Sequence, residues 1–199
     1  MTLGTRLLLI GPPGAGKGTQ AVVLASTYKV PAISTGDIFR SNVANETELG
    51  LQVKAIITAG EYVPDSLTNA VVANRLSEAD VNAGFLLDGY PRTTDQVHEL
   101  DRMLETQSTA LDVVVLITAD TDEVVSRLLK RAVVEGRADD TEAVIRHRLA
   151  LYEEQTAPLI ALYEKKNLVV TVDGLGAVDD VTARIIAALA ARGIAAPAA

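Results

Sequence analysis

The sequence of 199 residues contains no cysteine. Disulfide bonds, thiolate nucleophiles and zinc sites built from cysteine are therefore excluded. No run of about eighteen apolar residues occurs, and the apolar stretch at residues 7–10 is too short for the core of a signal peptide. We therefore expect a soluble, unprocessed chain in a reducing compartment, the cytoplasm.

Positive charge is also scarce. The chain has 18 Lys and Arg against 26 Asp and Glu, a formal net charge of −8. This balance argues against a surface for nucleic acid or for an anionic membrane, so no partner of either kind is expected. Most of the basic residues are nevertheless arginine, which binds phosphate or carboxylate through two parallel hydrogen bonds. The composition therefore favours small phosphorylated ligands.

Short aliphatic segments alternate with longer segments of helical periodicity. The short segments predict buried strands at residues 6–10, 32–34, 85–88, 113–118 and 168–172. The longer segments predict helices at residues 16–28, 66–79, 94–105, 121–134, 140–156 and 179–192. Strands that are apolar on both faces and alternate with helices are typical of a parallel sheet covered on each side. We therefore predict a doubly wound α/β fold.

Local signals mark several boundaries. Asp120 and Asp139 each precede a Glu by three residues, the pattern of an acidic N-cap. Gly193 is expected to end the last helix, and Pro158 is expected to end or kink the long helical stretch before it. Residues 35–63 carry a helical pattern without a strand, which predicts a small helical insert beside the second strand.

The stretch "GPPGAGK" at residues 11–17 matches the pattern G-x-x-x-x-G-K. In this pattern glycines let backbone N–H groups converge on phosphate oxygens, and Lys17 supplies a positive charge. A strand is predicted before it and a helix after it, as the motif requires. A plain glycine turn would need fewer glycines and no lysine. The usual Ser or Thr after the lysine is Gly18, so magnesium ligation by a hydroxyl at that position is not predicted.

Charged residues elsewhere fit a phosphate ligand. Asp88 ends a predicted strand, where an acidic residue can hold magnesium directly or through water, although such a residue can also cap a turn. Arg127 and Arg131 lie four apart on one predicted helical face, where like charges cost roughly a few tenths of a kcal/mol. A bound triphosphate would explain this pair. Solvent exposure of both side chains is the alternative. Relief of the like-charge pair is expected to stabilise an Arg131→Ala variant slightly.

Stretches along almost the whole chain resemble the adenylate kinases, nucleoside monophosphate kinases of the P-loop class that transfer a phosphoryl group between ATP and AMP. The resemblance includes "GKGT" in the glycine loop, which accounts for Gly18. It lies in "GPPGAGKGTQ", "STGDIFR", "YVPDSLT", "GFLLDGYPRT", "GRADD", "IRHRLALYEEQTAPL" and "VDG".

The resemblance implies a role for particular residues in this sequence. The ATP site it implies consists of Gly14, Ala15, Gly16, Lys17, Gly18, Thr19, Arg127, Arg131 and Gly176. The AMP site it implies consists of Thr35, Arg40, Glu61, Tyr62, Val63, Gly89, Arg92, Gln96, Arg137 and Arg148. Within these sets, the residues implied in catalysis are Lys17, Arg92, Arg127, Arg131, Arg137 and Arg148. Asp88 would order the water around magnesium.

The same resemblance implies a five-stranded parallel sheet with a mobile AMP-binding insert at residues 34–63. The core P-loop domain would comprise residues 1–33, 64–131 and 137–199. Longer family members carry a lid domain where this chain has only residues 132–136, so the chain resembles the short, lidless type. Mg²⁺ is the cofactor implied, without zinc. The partners implied are ATP, AMP and ADP, bound by a monomer.

Two alternatives stay open at this stage. One is a UMP or CMP kinase, in which Ala is common where this chain has Thr35. The other is a nucleotide-driven switch protein, which leaves the downstream arginines unexplained and for which no guanine-reading "NKxD" motif is present. The two histidines, His98 and His147, fall on predicted helices and are expected at the surface without a role.

Overall fold

The computed structural model of the chain describes residues 5–137 and 140–197. These residues form a parallel sheet with the strand order β2-β3-β1-β4-β5. Its strands are β1 (Arg6–Ile10), β2 (Ala32–Ser34), β3 (Phe85–Asp88), β4 (Val113–Thr118) and β5 (Val169–Asp173). The predicted α/β fold and five-stranded parallel sheet are confirmed. Four strands have the predicted bounds, and β5 begins and ends one residue later than predicted.

Helices follow the strands and cover both faces of the sheet. They are α1 (Lys17–Tyr28), α2 (Thr35–Ala44), α3 (Glu48–Ala59), α4 (Asp65–Leu76), α5 (Thr94–Thr106), α6 (Thr121–Glu135), α7 (Glu142–Leu151), α8 (Pro158–Lys165) and α9 (Val178–Ala191). A 3₁₀ turn spans Ala79–Ala83, and a π-helical turn spans Tyr152–Thr156. The predicted helical, strandless character of residues 35–63 is confirmed, with α2 and α3 in this segment.

Alternation along β1 divides the core into two layers. Leu8 and Ile10 point to one face and join a cluster that includes residues of α4, α5 and α8. Leu7 and Leu9 point to the other face and join residues of α1 and α9. Because both faces of the strand are buried, β1 is apolar from Leu7 to Ile10, and Arg6 at its start is buried as well. β1 is the central strand of the sheet, so its carboxyl end lies between those of its neighbours β3 and β4.

The insert has a small apolar cluster of its own. Phe39 of α2 and Val53 of α3 are buried together with Val63, which follows α3. Partly buried Leu67 and Val71 of α4 pack against this cluster. The insert is therefore attached to the sheet domain through α4, by a contact area separate from the main core.

Several predicted boundaries can be compared with the structure. Asp120 caps α6 by accepting hydrogen bonds from the N–H groups of Asp122 and Glu123, as predicted. Gly193 follows the end of α9 with φ of 77°, which also agrees. Asp139 lies outside the described residues. The prediction that a helix begins at residue 140 is wrong, because Thr141 caps α7 through the N–H of Val144.

Pro158 does not end the helical stretch, but the turn before it is wider than an α-helical turn. Pro158 has no N–H to donate, and the preceding turn is π-helical, with the N–H of Ala157 donating to the carbonyl of Tyr152 at 2.8 Å. The chain then continues as α8, with Pro158 in its first turn. The sequence indicated the disturbance at this position but not the helix that follows it.

Across residues 5–137 and 140–197, every helix is too short or too polar to cross a bilayer.

Candidate functional site

The glycine loop joins the carboxyl end of β1 to the first turn of α1. Gly14 has φ of +84°, and a Cβ there would lie 2.9 Å from Cγ of Leu128, so only glycine fits. Gly16 is the N-cap of α1, and no side chain from the described residues caps this helix. The first backbone N–H groups of α1 therefore remain directed at the space above the loop, where an anion can accept their hydrogen bonds.

Lys17 folds back over this loop. Its Nζ donates to the carbonyl of Gly11 at 2.7 Å and to the carbonyl of Pro12 at 2.9 Å. The ammonium group is thus held against the loop backbone rather than extended into solvent. This places a positive charge beside the N–H groups that begin α1, as the sequence motif predicts.

The pKa of Lys17 shows how positive its surroundings are. Burial lowers this pKa from its ordinary value of 10.5 to about 8, and the nearby carboxylate of Asp88 partly opposes the change. Three guanidinium groups lower the pKa further, those of Arg92, Arg148 and Arg131. The structure therefore gathers Lys17 and three guanidinium groups at the mouth of the loop, an excess of positive charge that attracts a polyanion.

Asp88 lies at the carboxyl end of β3, opposite Leu9 of β1 in the parallel ladder. Its Oδ2 is 3.7 Å from the position that a Cβ would occupy at Gly18. The missing side chain at Gly18 therefore leaves space in front of the carboxylate. Mg²⁺ in phosphate sites is held by one or two carboxylates together with phosphate oxygens and water. A single carboxylate in this position fits such an ion.

A pocket of about 560 Å³, including space open to solvent, lies between the insert and the sheet domain. Nine of the residues that the resemblance assigns to AMP line it: Thr35, Arg40, Glu61, Tyr62, Val63, Gly89, Arg92, Gln96 and Arg148. An adjoining pocket of about 480 Å³ is lined by Lys17 of the glycine loop and also by Tyr62, Gly89, Arg92 and Arg148. The two pockets therefore share a wall of cationic and aromatic side chains.

Arg137 is absent from the residues that line the first pocket. Its Nε donates to Oε2 of Glu135 at 2.6 Å. It nevertheless lies near the insert, because its charge contributes to the lowered pKa of Asp37 in α2. Burial would raise that pKa, but the hydrogen bond and charge of Arg40, and then the charge of Arg137, lower it. Arg137 is thus close enough to α2 for its charge to act on Asp37.

Two residues of the implied AMP site, Thr35 and Gln96, are buried and already hydrogen-bonded. Thr35 donates from Oγ1 to the carbonyl of Gly89 at 2.9 Å. Gln96 accepts from the N–H of Arg92 at 2.7 Å and donates to Oδ1 of Asp65 at 2.6 Å. The Gln96 side chain thus fixes the start of α5 against α4, a contact that the sequence did not predict.

Asp140 is the residue that sequence reasoning missed. Its side chain is 0% exposed, and it accepts from Nε of Arg131 at 2.7 Å and from Nη2 of the same residue at 2.9 Å. It also accepts from Nη1 of Arg148 at 2.8 Å. One buried carboxylate therefore holds two of the implied catalytic arginines.

The arginine pair on α6 differs from its expected state. Arg127 donates to Oε1 of Glu123 at 2.8 Å and to the carbonyl of Gly174 at 3.1 Å, while Arg131 pairs with Asp140. The alternative of an exposed, mutually repelling pair is wrong, since Arg127 pairs with Glu123 and Arg131 with Asp140. Binding of a triphosphate by the two arginines stays a prediction. The suggestion that replacing Arg131 with Ala would stabilise the fold loses its basis.

The loop after β5 lies beside the glycine loop. A Cβ at Gly174 would lie 3.0 Å from the carbonyl oxygen of Ala15. Arg184 of α9 donates to the carbonyl of Leu175 at 2.6 Å, and Gly176 follows with φ of +106°. Gly176 thus lies two residues after Gly174, which approaches the glycine loop directly.

The histidines differ from each other. His98 is exposed on α5, as expected. His147 is also exposed, but its Nε2 lies 2.7 Å from Oε1 of Glu61, which lines the first pocket. A Cβ at Gly60 would lie 2.8 Å from Cγ1 of Val144. The end of the insert therefore contacts α7 directly.

Comparison with known proteins gives concordant matches. The family model described as "Adenylate kinase" matches residues 9–168. The adenylate kinase of Kocuria rhizophila is 62% identical over 93% of this chain and 98% of the relative. That of a Nocardioides species is 61% identical over 92% of this chain and 96% of the relative. That of Thermobifida fusca is 51% identical over 94% of this chain and 99% of the relative.

Proposed function

The chain belongs to the adenylate kinase family, and we propose that it catalyses the reversible, magnesium-dependent transfer of a phosphoryl group from ATP to AMP, giving two ADP. The observation that carries this proposal is the group of cations around the wall shared by the two pockets, namely Lys17, Arg92, Arg131 and Arg148. Phosphoryl transfer depends mainly on alignment and on neutralising the charge of the phosphate oxygens. This arrangement supplies both.

On the donor side, the N–H groups that begin α1 bind the phosphates of ATP, and Lys17 adds its charge. Residues 14–19 form this cradle, with Arg127 and Arg131 on α6 beside it. Since the described residues leave the start of α1 uncapped, the helix favours an anion at that end. The loop around Gly176 would lie near the adenine.

On the acceptor side, the first pocket binds AMP. Arg40 and Arg92 hold its phosphate. Other residues of this pocket would surround the adenosine, namely Thr35, Glu61, Val63, Gly89 and Gln96, while Tyr62 lies against Arg92. Because Arg92 also lines the pocket of the glycine loop, the acceptor phosphate lies next to the terminal phosphate of the donor. This juxtaposition is what in-line transfer requires.

Arg137 and Arg148 act on the phosphoryl group as it moves. Asp140 acts indirectly, because it holds Arg131 and Arg148 through three hydrogen bonds of 2.7–2.9 Å. A positioned guanidinium stabilises charge that develops in the transition state without having to reorganise. Asp140 is therefore a positioning residue in this proposal, and no side chain is required as nucleophile or strong base.

Mg²⁺ fits beside Asp88, whose carboxylate would order its water shell. When bound with the nucleotide, this ion supplies charge neutralisation and orients the phosphate oxygens. The protein's own contribution at this position is the fixed carboxylate at the end of β3, together with the space left by Gly18.

We also propose the domain organisation that the family implies. Residues 34–63 act as a mobile AMP-binding insert on a core of residues 1–33, 64–131 and 137–199, with residues 132–136 in place of a lid. The contacts between Glu61 and His147 and between Gly60 and Val144 would break when the insert opens. The enzyme would act as a cytoplasmic monomer in adenine nucleotide homeostasis.

One coupled assay tests this proposal. ATP is held saturating while AMP, UMP, CMP and GMP are offered separately as acceptors, and ADP formation is followed. The proposal predicts that AMP gives the highest kcat/KM. Preference for UMP or CMP would identify a pyrimidine nucleotide kinase instead, and slow ATP hydrolysis that no acceptor accelerates would indicate a switch protein.

A further inference from the structure

The aromatic ring of Tyr62 covers one face of a guanidinium group in the wall between the two pockets. Cζ of Arg92 lies 4.8 Å from the centroid of this ring, which is within the range of a cation–π interaction. Both side chains are partly buried and line both pockets. The stacked pair therefore lies where an acceptor phosphate would meet the glycine loop.

Arg92 differs from the other arginines of the site. Within residues 5–137 and 140–197, it has no carboxylate at ion-pairing distance, and its Nε donates to the carbonyl of Gly89 at 2.8 Å. The others each pair with a carboxylate, namely Arg40, Arg127, Arg131, Arg137 and Arg148. The positive charge of Arg92 is thus left for a ligand, and its orientation depends on the Gly89 carbonyl and the Tyr62 ring.

A single hydroxyl group connects both members of the stack. Oγ1 of Thr156 donates to the carbonyl of Arg92 at 2.9 Å and lies 2.9 Å from the hydroxyl of Tyr62. Because Thr156 has one hydroxyl proton and a carbonyl only accepts, the Tyr62 hydroxyl must be the donor to Thr156. Thr156 is 5% exposed on the π-helical turn. The far end of the ring and the backbone of Arg92 are therefore fixed to one buried atom.

We propose that Tyr62, held by Thr156, is a positioning residue for Arg92. Its ring fixes the orientation of the guanidinium plane, so that the Nη atoms of Arg92 are directed at the phosphate of the acceptor nucleotide. The Nε hydrogen bond alone leaves the guanidinium free to tilt about one edge. The ring removes that freedom by covering one face. The consequence, which rests on the proposed function, is that loss of the ring weakens acceptor binding through Arg92 rather than through the adenine.

The test is a double-mutant cycle in steady-state kinetics with ATP saturating and AMP varied. Tyr62→Leu removes the ring and is expected to raise KM for AMP about tenfold, with KM for ATP unchanged. Tyr62→Phe keeps the ring and loses only the hydroxyl, so a rise below about threefold is expected. Combined with Arg92→Met, which leaves no cation to hold, Tyr62→Leu should change KM for AMP by less than about twofold further.

The outcomes separate the possible roles of Tyr62. A tenfold rise in KM for AMP in both backgrounds would overturn the proposal, since the ring would then act on AMP directly. An unchanged KM in Tyr62→Leu would overturn it as well. If Tyr62→Leu does not fold, Thr156→Val decides, with a rise of about threefold in KM for AMP expected and no change contradicting it.

Two controls protect this interpretation. Tyr163→Phe removes a tyrosine hydroxyl from the core, outside both pockets, and should leave KM for both nucleotides unchanged. The unsubstituted chain distinguishes the two proposals from each other. If it forms no ADP from ATP and AMP, the proposed function fails. If it is active and the Tyr62 variants behave as the control does, only the positioning role fails.

Discussion

Replacing Lys17 with Met should make the ligand-free protein more stable while it removes activity. The lowered pKa of Lys17, about 8 instead of 10.5, means that the folded protein disfavours the charged lysine. This difference corresponds to about 3 kcal/mol. The variant also loses two hydrogen bonds to the carbonyls of Gly11 and Pro12, at about 1 kcal/mol each. The net gain expected at pH 7 is about 1 kcal/mol.

The effect has a definite pH dependence. Because the pKa of Lys17 is lower in the folded than in the unfolded state, the unfolded chain binds more protons between about pH 8 and pH 10.5. Stability of the unsubstituted protein therefore rises with pH in this window, and the penalty is fully present below about pH 8. Relative to Lys17→Met, the unsubstituted protein should gain about 2 kcal/mol between pH 7 and pH 10.

Urea unfolding of both proteins at pH 7 and pH 10 measures this difference, because groups other than Lys17 titrate in both. Turnover of Lys17→Met should fall at least about a hundredfold, equivalent to about 2.7 kcal/mol of transition-state stabilisation. Near-normal turnover would refute the role of the loop. A variant that is destabilised at pH 7, with no pH-dependent difference, would refute the electrostatic reasoning.

Four further predictions concern other parts of the molecule. Asp140→Asn should lower the free energy of unfolding by about 3 kcal/mol in urea and kcat at least about tenfold, because Arg131 and Arg148 lose their shared carboxylate; unchanged kcat would contradict this. Tyr163 has a buried hydroxyl without a partner among the described residues, so Tyr163→Phe should retain or gain up to about 1 kcal/mol of stability in urea, not lose it. Thr35→Ala should reduce the ratio of kcat/KM for AMP to that for UMP, and an unchanged ratio would remove Thr35 from the acceptor pocket. EDTA should abolish turnover, restorable by excess magnesium, without changing the Tm of the ligand-free protein; a fall in Tm reversed by zinc would reveal a structural metal.

The sheet could be predicted from the sequence because its strands are buried on both faces. In "RLLLI" four of the five residues are apolar and all five are buried, which distinguishes such runs from helical segments with one polar face. Helix boundaries were less certain, since they depend on single side chains. The N-cap of α7 is Thr141, whereas the sequence predicted Asp139. Both residue types carry a side-chain oxygen that can cap a helix, so the sequence does not decide between them.

The candidate site could be predicted only as a set of separate motifs. The glycine loop is local in sequence, so residues 11–17 are enough to predict it, although the space around Gly14 is set by Leu128 of α6. The pairing of Asp140 with Arg131 and Arg148 depends on how α6 meets α7, and the stack of Tyr62 on Arg92 joins segments far apart in the chain. Periodicity and spacing do not contain such distances, because tertiary packing sets them.

The most direct test of phosphoryl transfer between adenine nucleotides offers the purified chain only ADP and magnesium. ATP and AMP should then appear in equal amounts until the reaction reaches equilibrium, with an equilibrium constant of about one. Lys17→Met, purified identically, should form neither above a trace, which excludes a contaminating kinase. Release of orthophosphate without AMP, or equal rates in both preparations, would contradict the assignment of this activity to the chain.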